Sequence, residues 1–217
     1  MVVSTSSTRD RLVEAAIELF WVQGYEATSV AEILAKAQVN SGSLYYHFES
    51  KEDLLLAVLD RYKEMLYSAV MEPVFLRESD PIERIFGVLE GYRQGLMITV
   101  CTRGCPIGNL GIEVGDRLPE ARKRVAENFE GWCDWIRKCL DDAGDRLPAG
   151  LDRDQMARFI LTVMEGGVMQ ARAHGSVEPF DACLAQLRDY FDRLLAEAAP
   201  QHSQGSQPPQ TLQRRHP

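Results

Sequence analysis

The sequence predicts an all-α fold of about nine helices. Three observations predict it. Apolar residues recur at helical spacing through nearly every ordered-looking segment. Helix-start signals precede most of those segments. No stretch alternates apolar and polar residues as a half-buried strand does, and no internal repeat is visible. The 217 residues have 45% hydrophobic and 26% charged content, which suits a core-forming globular chain rather than a disordered one.

The first helix spans about Arg9 to Gln23 and carries Leu12, Ala15, Ala16, Leu19 and Phe20 on one stripe. Gly24 follows and is expected to stop it in a left-handed conformation. Ser29-Val-Ala-Glu32 has capping-box spacing and should open a short second helix to about Ala37. Asn40 should cap a third short helix running to about Phe48. Ser50-Lys-Glu-Asp53 opens a long helix with Leu54, Leu55, Val58, Tyr62, Met65, Leu66 and Ala69 inward, and Pro73 is expected to end it. Asp80-Pro81-Ile82-Glu83 puts an N-cap and a first-turn proline before Ile85, Phe86, Leu89, Tyr92 and Leu96. Thr99 to Gly115 holds four glycines and is expected to form a loop and a short helix. Three further helices should start at Pro119, at Asp152 and near Pro179, the last ending near Ala198. The tail from Pro200 to Pro217 is rich in Gln, Ser and Pro and is expected to be disordered.

Composition narrows the function classes. No apolar run approaches the roughly 18 residues that a membrane helix needs. The Ser/Thr-rich first residues do not resemble a signal peptide, so a cytoplasmic location and no membrane partner are expected. Five cysteines, Cys101, Cys105, Cys133, Cys139 and Cys183, form an odd set in such a chain and are expected to be reduced. The net charge of -8 disfavours indiscriminate nucleic-acid binding while leaving room for a local DNA-reading surface. No hydrolase, zinc-protease or phosphate-loop motif is present, so neither enzyme activity nor a metal or other cofactor is expected.

Two short helices joined by the tight turn Ala37-Gln38-Val39-Asn40 and braced by a first helix make a helix-turn-helix arrangement. Its second helix, Ser41-Gly42-Ser43-Leu44-Tyr45-Tyr46-His47-Phe48, is the one that would enter a major groove. Small residues at its front permit close approach, and its tyrosines and histidine can donate to phosphates while their rings pack on sugar or thymine methyl. Lys51 stands where it can reach a phosphate. The competing reading is that Tyr45, Tyr46 and Phe48 are simply core aromatics. Charge does not arbitrate: Arg9, Arg11, Lys36 and Lys51 face Asp10, Glu14, Glu18, Glu26, Glu32 and Glu49, a net of about -2 over residues 1–51.

Residues 9 to 60 resemble the tetracycline-repressor (TetR) family of bacterial transcriptional regulators. The resemblance rests on Ala15-Ala16-Ile17-Glu18-Leu19-Phe20, Gly24-Tyr25-Glu26-Ala27-Thr28-Ser29, Val39 through Phe48, and Lys51-Glu52-Asp53-Leu54. It implies phosphate or base contacts at Thr28, Ser41, Ser43, Tyr45, Tyr46, His47 and Lys51. With neighbouring Ser29, Asn40, Gly42 and Leu44 these form the candidate DNA-binding set. Gln38 stands where the family usually has Gly, and Leu34 where it usually has a small Ala. The implied organisation is a DNA-binding domain over 1–50, a helical ligand-binding and dimerisation domain over 51–199, and a tail over 200–217. The implied partners are a palindromic double-stranded operator, a second copy of the chain and a small-molecule effector.

Phe180, Leu184, Leu187, Phe191 and Leu194 are spaced 4, 3, 4 and 3 and make a coiled-coil-like seam. The preceding helix carries Met156, Phe159, Ile160, Val163 and Met164, then Gly166-Gly167, where another backbone can come close. The two helices are therefore expected to form a four-helix dimer interface, unless the seam packs within its own chain. The candidate pocket set is Met97, Cys101, Cys105, Asn109, Glu113, Phe129, Trp132 and Met164, with Trp135 and Met169 beside them. Its aromatic and Met content suits an apolar or aromatic effector. Cys101-Thr-Arg-Gly-Cys105 offers an alternative trigger, a thiol that responds to oxidants or electrophiles beside Arg103. A helical ligand-binding module without DNA binding is the remaining alternative.

Overall fold

The computed structural model describes residues 7–199, and the tail expected from residue 200 lies outside them. Ten α-helices run in order: α1 Thr8–Gln23, α2 Val30–Ala37, α3 Ser41–His47, α4 Lys51–Leu66, α5 Glu72–Arg77, α6 Pro81–Ile98, α7 Pro106–Val114, α8 Pro119–Asp142, α9 Arg153–His174 and α10 Glu178–Ala198. No strand occurs among the described residues. The expected starts hold at atomic level. Ser29 and Glu32 form a reciprocal capping box, and Asn40, Ser50, Asp80 and Asp152 each accept a backbone N–H with the side chain.

The tenth helix comes from a correction. Pro73 does not end one long helix. The chain leaves α4 at Leu66, widens into a π-turn over Tyr67–Met71 and re-enters α-geometry with Pro73 in the first turn of α5. A proline crowds the carbonyl four residues back and lacks an N–H, which a first turn tolerates and an interior does not. The widened turn absorbs that mismatch. Met65, expected inward, is exposed.

Helices α1, α2 and α3 close over Leu12, Ala16, Phe20, Ile33, Leu44 and Phe48, all buried. Helix α4 packs on α1 and on α8, so the same helix belongs to the core of the N-terminal helical unit and to the larger bundle. Its Leu54, Leu55, Val58 and Leu59 are fully buried. In the bundle, α8 packs on α9 and α9 on α10, with α6 against all three.

The α10 seam is spent inside the chain. Phe180, Leu187, Phe191 and Leu194 are buried in the protomer alone, each worth about 1.5–3 kcal/mol on transfer from water. Phe191 meets Phe86 edge-on with ring centroids 5.4 Å apart, and Phe180 seats against Gly167, where an added Cβ would stand 2.8 Å from its ring. Arg188–Glu83 and Arg93–Asp181 pairs fix α10 to α6. The expectation that this seam joins two chains is therefore corrected: it joins α10 to its own bundle. A heptad-like stripe states that one face is covered but not which helix covers it.

Candidate nucleic-acid interface and effector cavity

Helix α3 is seven residues long, and its two faces have opposite fates. Leu44 and Phe48 are buried and anchor it to α1, while Tyr45 is 62% and Tyr46 83% exposed. Two adjacent tyrosines subtend about 100° on a helix, so both can stand in solvent while Leu44 and Phe48 share the inner face. Asn40, Ser41 and Gly42 are exposed beside them, and Ser43 and His47 are half-buried at the edges. His47 packs edge-on against Tyr46, with centroids 4.8 Å apart. Asn40 Oδ1 accepts from the Ser43 backbone N–H at 3.0 Å and from its hydroxyl at 3.1 Å, fixing the start of α3. The turn before α3 is strained and braced. Gln38 sits at φ 56° and ψ 46°, the left-handed conformation that the Gly-to-Gln departure implies. The Arg11 guanidinium donates to the carbonyls of Ala37 and Gln38, a brace that sequence reasoning missed because Arg11 sits on a polar face with no motif around it.

Three members of the expected DNA-contacting set are placed otherwise. Thr28 is 1% exposed, and its hydroxyl donates to the Gly24 carbonyl at 2.6 Å, closing the α1–α2 turn. Leu44 is core. Lys51 folds back: its ammonium donates to the Tyr25 carbonyl and lies 4.2 Å from the Tyr25 ring centroid. Burial holds it below the usual lysine range, against the upward pull of Glu26, Glu113 and Glu32. Ser29 is exposed, but its hydroxyl and amide are bonded to Glu32.

The α1–α2 turn is gripped from the larger bundle. Glu113 on α7 accepts the backbone N–H groups of Tyr25 at 2.8 Å and Glu26 at 2.7 Å. Gly24 makes this possible. Its φ of 88° is positive as expected, but its ψ of 166° is extended rather than helical, and a Cβ there would stand 2.9 Å from the carboxylate. Arg117 pairs with Glu26 at 2.8 Å, and the Trp21 indole N–H donates to the Gly104 carbonyl at 2.9 Å. Glu113, expected in the pocket, is thus a clamp on the helix-turn-helix unit. An isolated acid in a Gly-rich stretch carries no signal of a partner about ninety residues away.

Two cavities lie behind that clamp. One, of about 760 Å³, opens between α7, α8 and α9 and is lined by Cys105, Asn109, Phe129, Cys133, Leu161, Glu165 and Met169 among others. The second, of about 490 Å³, lies where α1 meets α4, α6 and α7, with Trp21, Tyr62, Met65, Tyr92 and Leu96 in its wall. Gly104 and Val168 line both. Of the expected pocket set, Cys105, Asn109, Phe129 and Met169 line the first cavity. Trp132, Trp135 and Met164 instead close on Ile85, Leu89 and Ile160, leaving only about 10 Å³ between them. Met97 is exposed on the outer face of α6, its sulfur beside Arg93. Cys101 is buried under the α6–α7 turn, where Val100 and Cys101 both adopt positive φ.

The thiol reading loses its basis here. Cys101 and Cys105 are free and buried. Burial, then the negative charge of Glu165, pushes the Cys105 thiol well above its ordinary value, the reverse of a reactive thiolate. Burial likewise raises the carboxyl of Glu165, against the neighbouring Cys105 thiol, which pulls it down. Sequence reasoning missed Glu165, since a lone acid next to Gly166-Gly167 has the look of a solvated helix position.

Comparison with known proteins accords with this geometry. Residues 12–58 match the family model for bacterial regulatory proteins of the tetR family, and residues 81–187 match the tetracyclin repressor-like C-terminal domain. The chain is 27% identical over 195 residues to the HTH-type transcriptional repressor DhaR of Mycobacterium sp. (strain GP1), covering 89% of this chain and 95% of that protein. It superposes on a TetR transcriptional regulator from Chloroflexus aurantiacus with a TM-score of 0.73 and 30% identity, covering 86% of this chain and 94% of the other. A regulatory protein TetR from Rhodobacter sphaeroides gives 0.74 and 27%, covering 86% and 97%. No described helix is long and apolar enough to cross a membrane. The chain belongs to the tetR family of helix-turn-helix, DNA-binding transcriptional regulators.

Proposed function

We propose that the protein is a homodimeric repressor that holds a palindromic operator and releases it when a small molecule enters the larger bundle. The observation that carries the reading is the outward face of α3. Tyr45 and Tyr46 project from a helix whose opposite side is locked by Leu44 and Phe48, with Asn40, Ser41 and Gly42 open at its front. These five, with Ser43 and His47 at the edges, are the proposed DNA contacts; Thr28, Ser29 and Lys51 shape and support the unit. The relative DhaR is named as a repressor, which supports the same sense of regulation here. The reading divides the chain into a reader over 1–50 and an effector and dimer unit over 51–199, working in the cytoplasm beside DNA, with no catalytic step.

The dimer face in this reading is the outer side of α9 and α10. Phe159 and Met169 on α9 and Tyr190 on α10 are exposed, and Phe159 and Tyr190 stack edge-on at 6.2 Å. Gly166 has no neighbour where a Cβ would stand, unlike Gly167, so its notch remains open for a second chain. Thr162, Gly166 and Met169 also line the larger cavity, so a partner on this face would cover its mouth.

Release follows as a population shift. An effector that wedges α7 from α9 displaces Gly104 and Glu113. The grip on the Tyr25 and Glu26 amides then changes, and α1 turns relative to α4. The two recognition helices no longer sit about 34–36 Å apart, one helical turn of DNA. The test is a titration of the chain's own upstream DNA at fixed salt, by anisotropy. Nanomolar binding to a two-fold symmetric site is expected, with a stoichiometry of two chains. Equal affinity for unrelated DNA contradicts the proposal.

A further inference from the structure

The larger cavity carries a guanidinium that the fold leaves without a counter-charge. Three charged side chains of α9 line this cavity at intervals of seven residues, Arg158, Glu165 and Arg172. Seven residues make about two turns, so the three share one face, about 10.5 Å apart along the axis. Arg158 is occupied: Glu130 on α8 accepts from it with both carboxylate oxygens, at 2.8 and 3.0 Å. Arg172 is not. Its one side-chain partner among the described residues is the half-buried Asn109 on α7, whose Oδ1 accepts from Arg172 Nη1 at 3.1 Å. That bond leaves Asn109 Nδ2 and the rest of the guanidinium as N–H donors beside the same cavity. Asn109 is fitted to its place. It seats on Gly104, where an added Cβ would stand 2.8 Å from Oδ1 and 3.2 Å from Nδ2. Donors gathered around one positive charge are the arrangement that recognises a carboxylate.

We infer that the larger cavity takes a singly charged organic anion with an apolar body, its carboxylate held between Arg172 and Asn109. This inference rests on reading the cavity as the effector site. Three observations select the chemistry. Arg172 has no carboxylate partner among the described residues, so a negative head gains a charge-assisted bond that an alcohol or an amine does not. The rest of the wall is mostly apolar, with Val125, Phe129, Leu161, Val168 and Met169, which suits a hydrocarbon or aromatic body. Arg158 is already paired, so a second negative charge on that body would be buried without a cation. Glu165, two turns from Arg172, keeps the head at the α7–α9 end of the cavity.

The same site bears on the reader. Asn109 stands one turn before Glu113 on α7, and Glu113 holds the Tyr25 and Glu26 amides. A head seated between α7 and α9 therefore acts on the helix that grips the α1–α2 turn.

A matched set of probes tests this on the full-length chain without DNA: octanoate, 1-octanol, octylamine and octanedioate, titrated by calorimetry at one pH and one salt concentration. Octanoate should bind at least about tenfold more tightly than each of the other three. Arg172→Gln should lose about tenfold on octanoate and stay within about threefold of wild type on 1-octanol. Asn109→Asp gives Arg172 a counter-charge of its own and should lose at least as much on octanoate. Thermal midpoints check that both variants fold, and the ranking of probes on the wild-type chain decides the matter if either does not. The inference is overturned by 1-octanol or octanedioate binding as tightly as octanoate, by a preference for octylamine, or by no binding of any probe. Unchanged octanoate affinity in a folded Arg172→Gln makes the guanidinium a helix-end or subunit contact and overturns it too. Operator binding by the unliganded chain is measured separately. Its loss would overturn the regulator reading and leave the result on anion recognition standing.

Discussion

Helices α3 and α10 carry similar apolar material and use it in opposite ways. Helix α10 presents Phe180, Leu187, Phe191 and Leu194 at regular spacing, and all four are buried against the chain's own α6 and α9. Helix α3 places Tyr45 and Tyr46 side by side in a seven-residue element, and both stand in solvent. Regular spacing reports a covered face, whereas large residues that break the spacing report a face held open. The Gly166–Gly167 pair repeats the lesson: Gly167 receives Phe180, and Gly166 receives nothing.

The largest expected effect breaks this comparison at α10. Phe191→Ala should cost about 3–5 kcal/mol of stability, because it opens a cavity in the protomer core. Chemical denaturation should show this, with the folded remainder keeping its association state. Phe159→Glu together with Tyr190→Glu should do the converse, giving a folded chain that sediments as a monomer. A folded monomer from Phe191→Ala would restore α10's seam to the dimer interface.

The next effect belongs to α3. Tyr46→Ala should weaken operator binding by about 1–3 kcal/mol and leave the thermal midpoint within a few degrees, since the side chain is 83% exposed. Lys51→Ala should act differently: its ammonium lies over the Tyr25 ring and donates to the Tyr25 carbonyl, so stability and DNA affinity should fall together.

A smaller effect tests the clamp between the two regions. Glu113→Gln leaves one good acceptor for two backbone N–H groups and should cost about 1–2 kcal/mol in urea denaturation. It should also shrink the effector's influence on operator affinity more than it changes effector binding. An unaltered ratio of operator affinities with and without effector would remove Glu113 from the route. Smallest is Gln38→Gly, which should stabilise the chain by about 1 kcal/mol by relieving the left-handed conformation at φ 56°.

What the sequence made legible was local. Caps at Ser29, Asn40, Ser50, Asp80 and Asp152 fixed the helix starts because capping is a matter of a few adjacent residues. The open face of α3 was legible through its motif. The clamp at Glu113 and the Arg11 brace were not, since each joins residues 26 to 88 positions apart and leaves no periodic trace. Pro73 was misread because the same residue stops a helix interior and starts a first turn, and only the π-turn before it distinguishes the two. The pocket was partly misread for a related reason. Trp132, Trp135 and Met164 have the side chains of a ligand wall, yet they fill the space they enclose.

The central claim is that the outward face of α3 reads DNA while its inner face only holds it in place. The most direct measurement is paired anisotropy titrations of wild type and Tyr46→Ala against the operator and against an unrelated duplex of equal length at one salt concentration. The account predicts that wild type prefers the operator by at least about a thousandfold and that Tyr46→Ala loses at least about fivefold on the operator, with an unchanged thermal midpoint. Wild-type affinity in Tyr46→Ala, or equal wild-type affinity for both duplexes, would contradict it.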